Sequence, residues 1–230
     1  MKVLSVDVGI KHLAHCLLES HPETTEILNW DVFDLTEQLC YCEKKAISQL
    51  NQTPLCKQHA CHTHRSLVNC ITWCTQCRVP LGTVEQMRKQ LAKQTKKLEP
   101  PSVYALGSAM MKHYDTLGPV ELVLIENQIG PLASKMKMVQ GMVAQYWIMK
   151  GAKVECISAC NKLKLFVSGK TTYAERKKLG IQHAQTVLAL NGLETDVFRK
   201  HKKKDDLADT FLQAVWYLHT NCGRLKIKSY

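Results

Sequence analysis

Long apolar runs are missing from this 230-residue sequence. None approaches the roughly 18 residues that a bilayer-crossing helix requires, so no membrane partner is expected. A secretory leader is missing too. The opening MKVLSVDVG carries an aspartate directly behind the initial residues and reads as neither a signal nor a transit peptide, which points to an intracellular, non-secreted protein. Internal repeats and low-complexity tracts are likewise absent, which leaves one main domain with a 45% hydrophobic composition to build its core.

Acidic side chains are the scarcer charge, 20 against 31 Lys and Arg, for a formal net charge of +11. The excess is concentrated in RKQLAKQTKK, NKLKLFVSGK, ERKK and RKHKKK. Clustered positive charge suits a polyanionic partner; the plainer reading is a solvated basic face. The chain holds 11 cysteines, which would suggest disulfides after a secretory leader. Seven of them lie between residues 40 and 77 among histidines, a pattern that favours metal binding.

KVLSVDV and HLAHCLLE read as a β-hairpin broken at Gly9, and TEILNWDVF as a third strand. Hydrophobic periodicity then fails between about residues 37 and 79. Helices are predicted for VEQMRKQLAKQTKKLE, stopped at Pro100-Pro101, and for VYALGSAMMKHYDTL. ELVLIENQ is an unbroken aliphatic run of strand length, the pattern of a central strand buried on both faces. A helix with Leu132, Met136, Val139, Val143 and Trp147 at helical spacing follows, then the strand AKVECIS. Two helices close the chain, over TYAERKKLGIQHAQTVLAL and KKDDLADTFLQAVWYLH. The order βββαβαβα predicts an α/β fold, a mixed sheet flanked by helices.

Four carboxylates sit oddly in this scheme. Asp7 lies inside an apolar strand, where a charge is costly unless paired or metal-bound. Glu126 ends the buried strand, at the edge where open sheets place ligands. Asp206 and Asp209 stand at i and i+3 on the last helix, beside the apolar stripe of Leu207, Phe211, Ala214 and Leu218. Asp205 and Asp206 also suit a helix N-terminus, but Asp209 is too far along to be explained that way. Convergence of the four acids would suit two divalent ions per site, Mg2+ or Mn2+ by the hardness of the oxygens, and phosphodiester cleavage.

SVDVGIKHLA, LVLIENQ with SKMKMVQGMVAQY, and KKDDLADT together resemble the RuvC-like Holliday junction resolvases of the ribonuclease H-like superfamily, in particular the mitochondrial, poxvirus and large DNA virus branch. The resemblance covers most of the chain outside residues 37 to 100. It implies a homodimeric endonuclease that nicks two opposed strands of a four-way DNA junction symmetrically, with metal-activated water attacking the phosphodiester. Asp7, Glu126, Asp206 and Asp209 would be the metal-binding acids. Relatives with wider spacing would put Asp205 in the place of Asp206. The family also tends to carry a lysine after the AKVECIS strand, for which Lys162 and Lys164 are the candidates and Lys164 is taken as catalytic. The branch implies a viral source, and with it the nucleus or a viral replication compartment.

The cysteine-rich stretch, bounded at 38–80 within a nuclease domain of 1–230, reads as an inserted zinc module. CKQH and CTQC, separated by 14 residues, supply Cys56, His59, Cys74 and Cys77 for one tetrahedral structural zinc. Cys42 is a further candidate ligand, and a second zinc drawing on Cys61, His62, His64 or Cys70 is an open alternative. The module would support dimer contacts or DNA binding. Cys16, Cys156, Cys160 and Cys222 read as packing residues. Two rival functions stand beside junction resolution. One is a related nuclease acting on other branched DNA or on RNA–DNA hybrids, and the other is a zinc-containing nucleic-acid-binding protein without catalysis.

Overall fold

In a computed structural model of the chain, residues 1–39, 45–50, 53–56, 96–128, 134–167, 169, 171–193 and 195–227 are described. The chain divides into two compact units, one of Met1–Leu35 with Leu106–Tyr230 and one of Thr36–Ala105.

The larger unit is built on a five-stranded sheet in the order β3-β2-β1-β7-β8. Its first three strands, β1 (Lys2–Asp7), β2 (Leu13–Ser20) and β3 (Thr25–Phe33), form an antiparallel meander. β7 (Leu122–Glu126) then runs parallel to β1, and β8 (Lys153–Ile157) runs parallel to β7. The sheet is therefore mixed, with β1 at its centre. Parallel strands need crossovers, and the helices α1 (Val103–Tyr114) and α2 (Ser134–Met149) precede β7 and β8.

After β8 the chain is helical: α3 (Asn161–Lys164), α4 (Tyr173–Leu190), α5 (Asp196–Lys200) and α6 (Lys204–Cys222). Within the larger unit the expected order βββαβαβα thus holds through β8, with two short helices added among the longer ones. α4 starts at a capping box in which Thr172 and Glu175 satisfy each other's backbone N–H. α6 ends at Gly223, whose left-handed φ of 63° closes the helix with bonds to Leu218 and His219.

Alternation along the strands sorts the core into two layers. Val3, Leu18, Leu122 and Leu124 pack with Ala184, Val187, Phe211 and Leu212 of α4 and α6. Leu4, Val6, Val123 and Ile125 pack on the other face with Leu106, Met110, Val139 and Trp147 of α1 and α2. The run Leu122–Ile125 is buried throughout, as a strand covered on both faces demands. On the α6 side the indole of Trp30 donates to the Leu207 carbonyl at 3.1 Å and stacks on Phe198 at 5.0 Å, tying β3 to α5 and α6.

The smaller unit contains β4 (Ala46–Leu50), β5 (Thr53–Cys56) and β6 (Lys96–Lys97), antiparallel in the order β5-β4-β6. Lys96 and Lys97, expected at the end of a helix, instead pair with β4. Backbone pairing to a strand edge outweighs the helix propensity of the lysine-rich stretch there; residues 84–95 of that expected helix lie outside the described residues. This unit also extends beyond the 38–80 boundaries expected for the insertion.

Trp147 is 1% exposed at the centre of the α2 layer, and its indole N–H has no partner among the described residues. Trp147→Ala is expected to cost about 3–5 kcal/mol in urea unfolding. Trp147→Phe should cost less than half of that, because it removes a buried donor that is already unsatisfied along with the ring volume.

Candidate functional site

β1 and β7 end side by side. Their parallel register pairs Val6 with Ile125, so the next residues, Asp7 and Glu126, stand together at the ends of the two strands. Both lie on the face covered by α6, because Val3 and Ser5 precede Asp7 on that face and Leu122 and Leu124 precede Glu126. Beyond Asp7 the chain reverses through Gly9, where a Cβ would lie 2.4 Å from the carbonyl oxygen of His12. Only glycine permits that approach.

The third acid comes from α6 and a lysine from α3. The Lys162 ammonium is hydrogen-bonded to Glu126 Oε2, lies 3.1 Å from Asp209 Oδ2 and lies 3.5 Å from Asp7 Oδ2. A lysine that is 5% exposed is rare without partners, and this one has three. Burial alone would lower its pKa; Asp7, Asp209 and Glu126 reverse that and hold it above the ordinary lysine range. Burial pushes the Asp7 carboxyl up to about 7 against the pull of Lys162, with Glu126 adding to the rise. Asp209 is raised in the same direction and for the same first reason, burial.

Asp206 and Asp205 are separated by the structure. Asp206 lines the cleft beside Asp7, and its buried Oδ2 has no hydrogen-bond partner among the described residues. Burial, then the neighbouring Asp205, raise its pKa. Asp205 instead pairs with Lys177 of α4 at 2.5 Å, and that pairing leaves its carboxyl below the usual range although burial opposes it. One acid is thus engaged by a lysine while a buried oxygen of its neighbour has no hydrogen-bond partner among the described residues.

The cleft holds about 1050 Å3 and is lined by Asp7, Glu126, Asp206 and Asp209 at one end. Lys164, Arg176, Lys177, Tyr173 and His12 also line it. The Lys177 ammonium lies 5.1 Å above the Tyr173 ring.

The lysine that reaches the acids is Lys162 and not the expected Lys164. Residues two apart on a helical turn project about 200° from each other, so only one of them can face the sheet. Lys164 lines the cleft without an ion pair to these acids among the described residues. His12 was missed altogether; its position one turn of chain after Asp7 and Gly9 was the available signal. Of the expected zinc ligands, Cys56 closes β5, while Cys42, His59, Cys74 and Cys77 lie outside the described residues. Cys16 is buried, but Cys156, Cys160 and Cys222 are exposed, contrary to a packing role.

Among the described residues, no group of three or more His, Cys, Asp and Glu is arranged to hold a metal ion by itself. The focus of Asp7, Glu126 and Asp209 is occupied by the Lys162 ammonium. The donors nevertheless fit a hard divalent cation. They are carboxylate oxygens that already converge on one positive charge, and Asp206, which lines the same cleft, has a buried Oδ2 with no hydrogen-bond partner among the described residues.

Comparison with known proteins brings in two families. Residues 3–129, more than half of the chain, match the family described as mitochondrial resolvase Ydc2 / RNA splicing MRS1. Residues 109–221 match the poxvirus A22 protein family. A protein of Acanthamoeba polyphaga mimivirus, uncharacterized protein L451, is 25% identical over 312 residues, covering 95% of this chain and 74% of its own length. The fold is similar to that of the fowlpox virus resolvase in its complex with substrate Holliday junction DNA, with a TM-score of 0.55 at 14% identity over 96% of this chain and 99% of that one.

The raised Asp7 fixes the sign of a pH effect. Its proton is held more tightly in the folded chain than in the unfolded one, so this group's contribution to stability declines as pH rises from about 4 to about 7. Buried His15, lowered to about 4, runs the other way: the stability tied to it is lost as pH falls from 6.5 toward 4. Subtracting the parent from Asp7→Asn isolates the carboxylate. In chelator, the variant should gain on the parent by on the order of 2 kcal/mol between about pH 5 and pH 8 in thermal or urea unfolding. A pH-independent offset between the two would remove Asp7 as the strained acid.

Proposed function

The chain belongs to the mitochondrial resolvase Ydc2 / RNA splicing MRS1 family, and we propose that it is a structure-selective, divalent-metal-dependent endonuclease that resolves four-way (Holliday) DNA junctions. The observation that carries this reading is the convergence of Asp7, Glu126 and Asp209 on one buried cation at the ends of two parallel strands, inside a cleft edged by basic side chains. The two families matched and the similarity to the fowlpox virus resolvase fold support it.

Asp7, Glu126, Asp206 and Asp209 would hold the metal, which is Mg2+ or Mn2+ by the hardness of the donors. Metal bound there supplies Lewis acidity for water attack on the phosphodiester and for the leaving oxygen. Lys162 gives these acids their counter-charge in the metal-free chain. It stands within reach of a phosphate held at the acids, where it would stabilise developing negative charge. Asp205 is not assigned as a ligand, since Lys177 engages it.

Lys164, Arg176 and Lys177 would hold the DNA backbone along the cleft. Nothing in this set supplies a base code, so the substrate is recognised by its branched shape. Resolution needs two opposed strands cut together, which is met by a homodimer presenting two such clefts. The cysteine- and histidine-rich stretch would bind one structural zinc through Cys56, His59, Cys74 and Cys77, with Cys42 as an alternative ligand. The viral relative fits action in a nucleus or viral replication compartment. Among the described residues no helix is long and apolar enough to cross a membrane.

Purified chain incubated in Mg2+ with a four-way junction and with a linear duplex should nick only the junction, at symmetric positions on opposed strands. Asp7→Asn should lower that cleavage by about 100-fold or more. Cleavage that persists in the variant would remove the acids from the reaction, and equal cutting of linear duplex would remove junction selectivity. Metal analysis of chain prepared without chelator should find about one zinc per chain, lost in Cys74→Ser.

A further inference from the structure

Gln213 is a polar side chain fully buried beneath the acids. It follows Asp206 and Asp209 at i+7 and i+4, so it lies on the same face of α6, one turn further from the cleft. Its side-chain amide donates to Ser5 Oγ at 3.1 Å and to the Leu124 carbonyl at 3.0 Å, with the Val6 carbonyl at 3.4 Å. Ser5 precedes Asp7 by two residues on β1, and Leu124 precedes Glu126 by two on β7. One amide therefore ties together the three elements that carry Asp7, Glu126 and Asp209, one step below the acids on each.

Apolar packing alone does not fix such a register. Leu207, Phe211 and Leu212 would tolerate small slides of α6 along the sheet, because dispersion contacts are short-ranged but weakly directional. A buried amide with donor hydrogens aimed at two strands is directional, and its loss would leave the acids free to spread. The Gln213 carbonyl oxygen has no partner among the described residues. The residue thus bears the cost of a buried, half-satisfied amide, which a purely packing position would not retain.

We propose that Gln213 is the positioning residue of the acidic site, setting the height of α6 against β1 and β7 so that Asp209 meets Asp7 and Glu126 around a single cation. This rests on the reading of the four acids as a metal site. Gln213→Met keeps length and approximate volume but removes the donors. It is expected to weaken Mn2+ binding by about 10-fold or more, followed by electron paramagnetic resonance. In chelator, with no metal present, Lys162 should become several-fold more reactive toward reductive methylation, read by mass spectrometry, as its carboxylates separate.

Leu218→Ala, on α6 well away from the acids, is the control for lost stability. If Gln213→Met changes Mn2+ affinity and Lys162 labelling no more than Leu218→Ala does, Gln213 is only a core residue and the proposal falls. Ser5→Ala provides a second variant should Gln213→Met fold poorly. It removes one acceptor of the amide and should shift both readouts in the same direction, and no shift would count against the proposal. A parent chain that binds no Mn2+ would defeat the metal-site reading instead, while the metal-free labelling would still decide the role of Gln213.

Discussion

The site depends on a charge imbalance that the fold enforces. Three carboxylates share the Lys162 ammonium, and the Oδ2 of a fourth, Asp206, has no hydrogen-bond partner among the described residues. One buried cation cannot compensate four acids. Placing like charges together away from water is costly, and the structure meets that cost by raising Asp7 and its neighbours on α6 so that protons are retained. Acids whose protons burial holds more tightly than usual would, on the proposed reading, give them up to a divalent cation. An affinity for metal and the raised acids would both follow from placing these carboxylates together away from water.

Sheet order creates the imbalance. β1 is the first strand of the chain yet stands at the centre of the sheet, with the antiparallel meander on one side and parallel β7 and β8 on the other. Strands that run parallel finish at the same end, so acids at the ends of β1 and β7 meet without any long side chain reaching for them. The last helix then crosses that face and adds Asp206 and Asp209. Acids from the first strand, a central strand and the last helix become neighbours through ordinary packing of α6 on Val3, Leu122 and Leu124.

Much of this was legible in the sequence because it is periodic. Asp7 interrupts an apolar strand, Glu126 ends an unbroken aliphatic run, and the acids of α6 border a stripe at helical spacing. Each is an exception to a regular pattern, and exceptions are visible only against a pattern. Lys162 had no such background. α3 is four residues long, too short for periodicity to say which of Lys162 and Lys164 faces inward. Gln213 was hidden for the opposite reason: a single glutamine in a long helix reads as surface until the contacts of both strands are known. The strand Lys96–Lys97 was lost to helix propensity, because pairing with β4 is a non-local effect that no window of sequence contains.

The surplus of positive charge and the cluster of acids act at different ranges. A chain of net charge +11 attracts a polyanion from a distance, and Arg176, Lys177 and Lys164 place part of that charge along the cleft. At the acids the sign reverses, and a phosphate would be repelled by the very residues that must address it. Lys177 lessens this at the rim by neutralising Asp205, so that the repulsion is confined to the four acids. On the proposed reading, a divalent cation held by those acids would remove the remaining barrier to a phosphate. On that reading the cation would therefore be a condition for substrate approach as well as for the chemical step, because without it the basic cleft and its acidic end oppose each other.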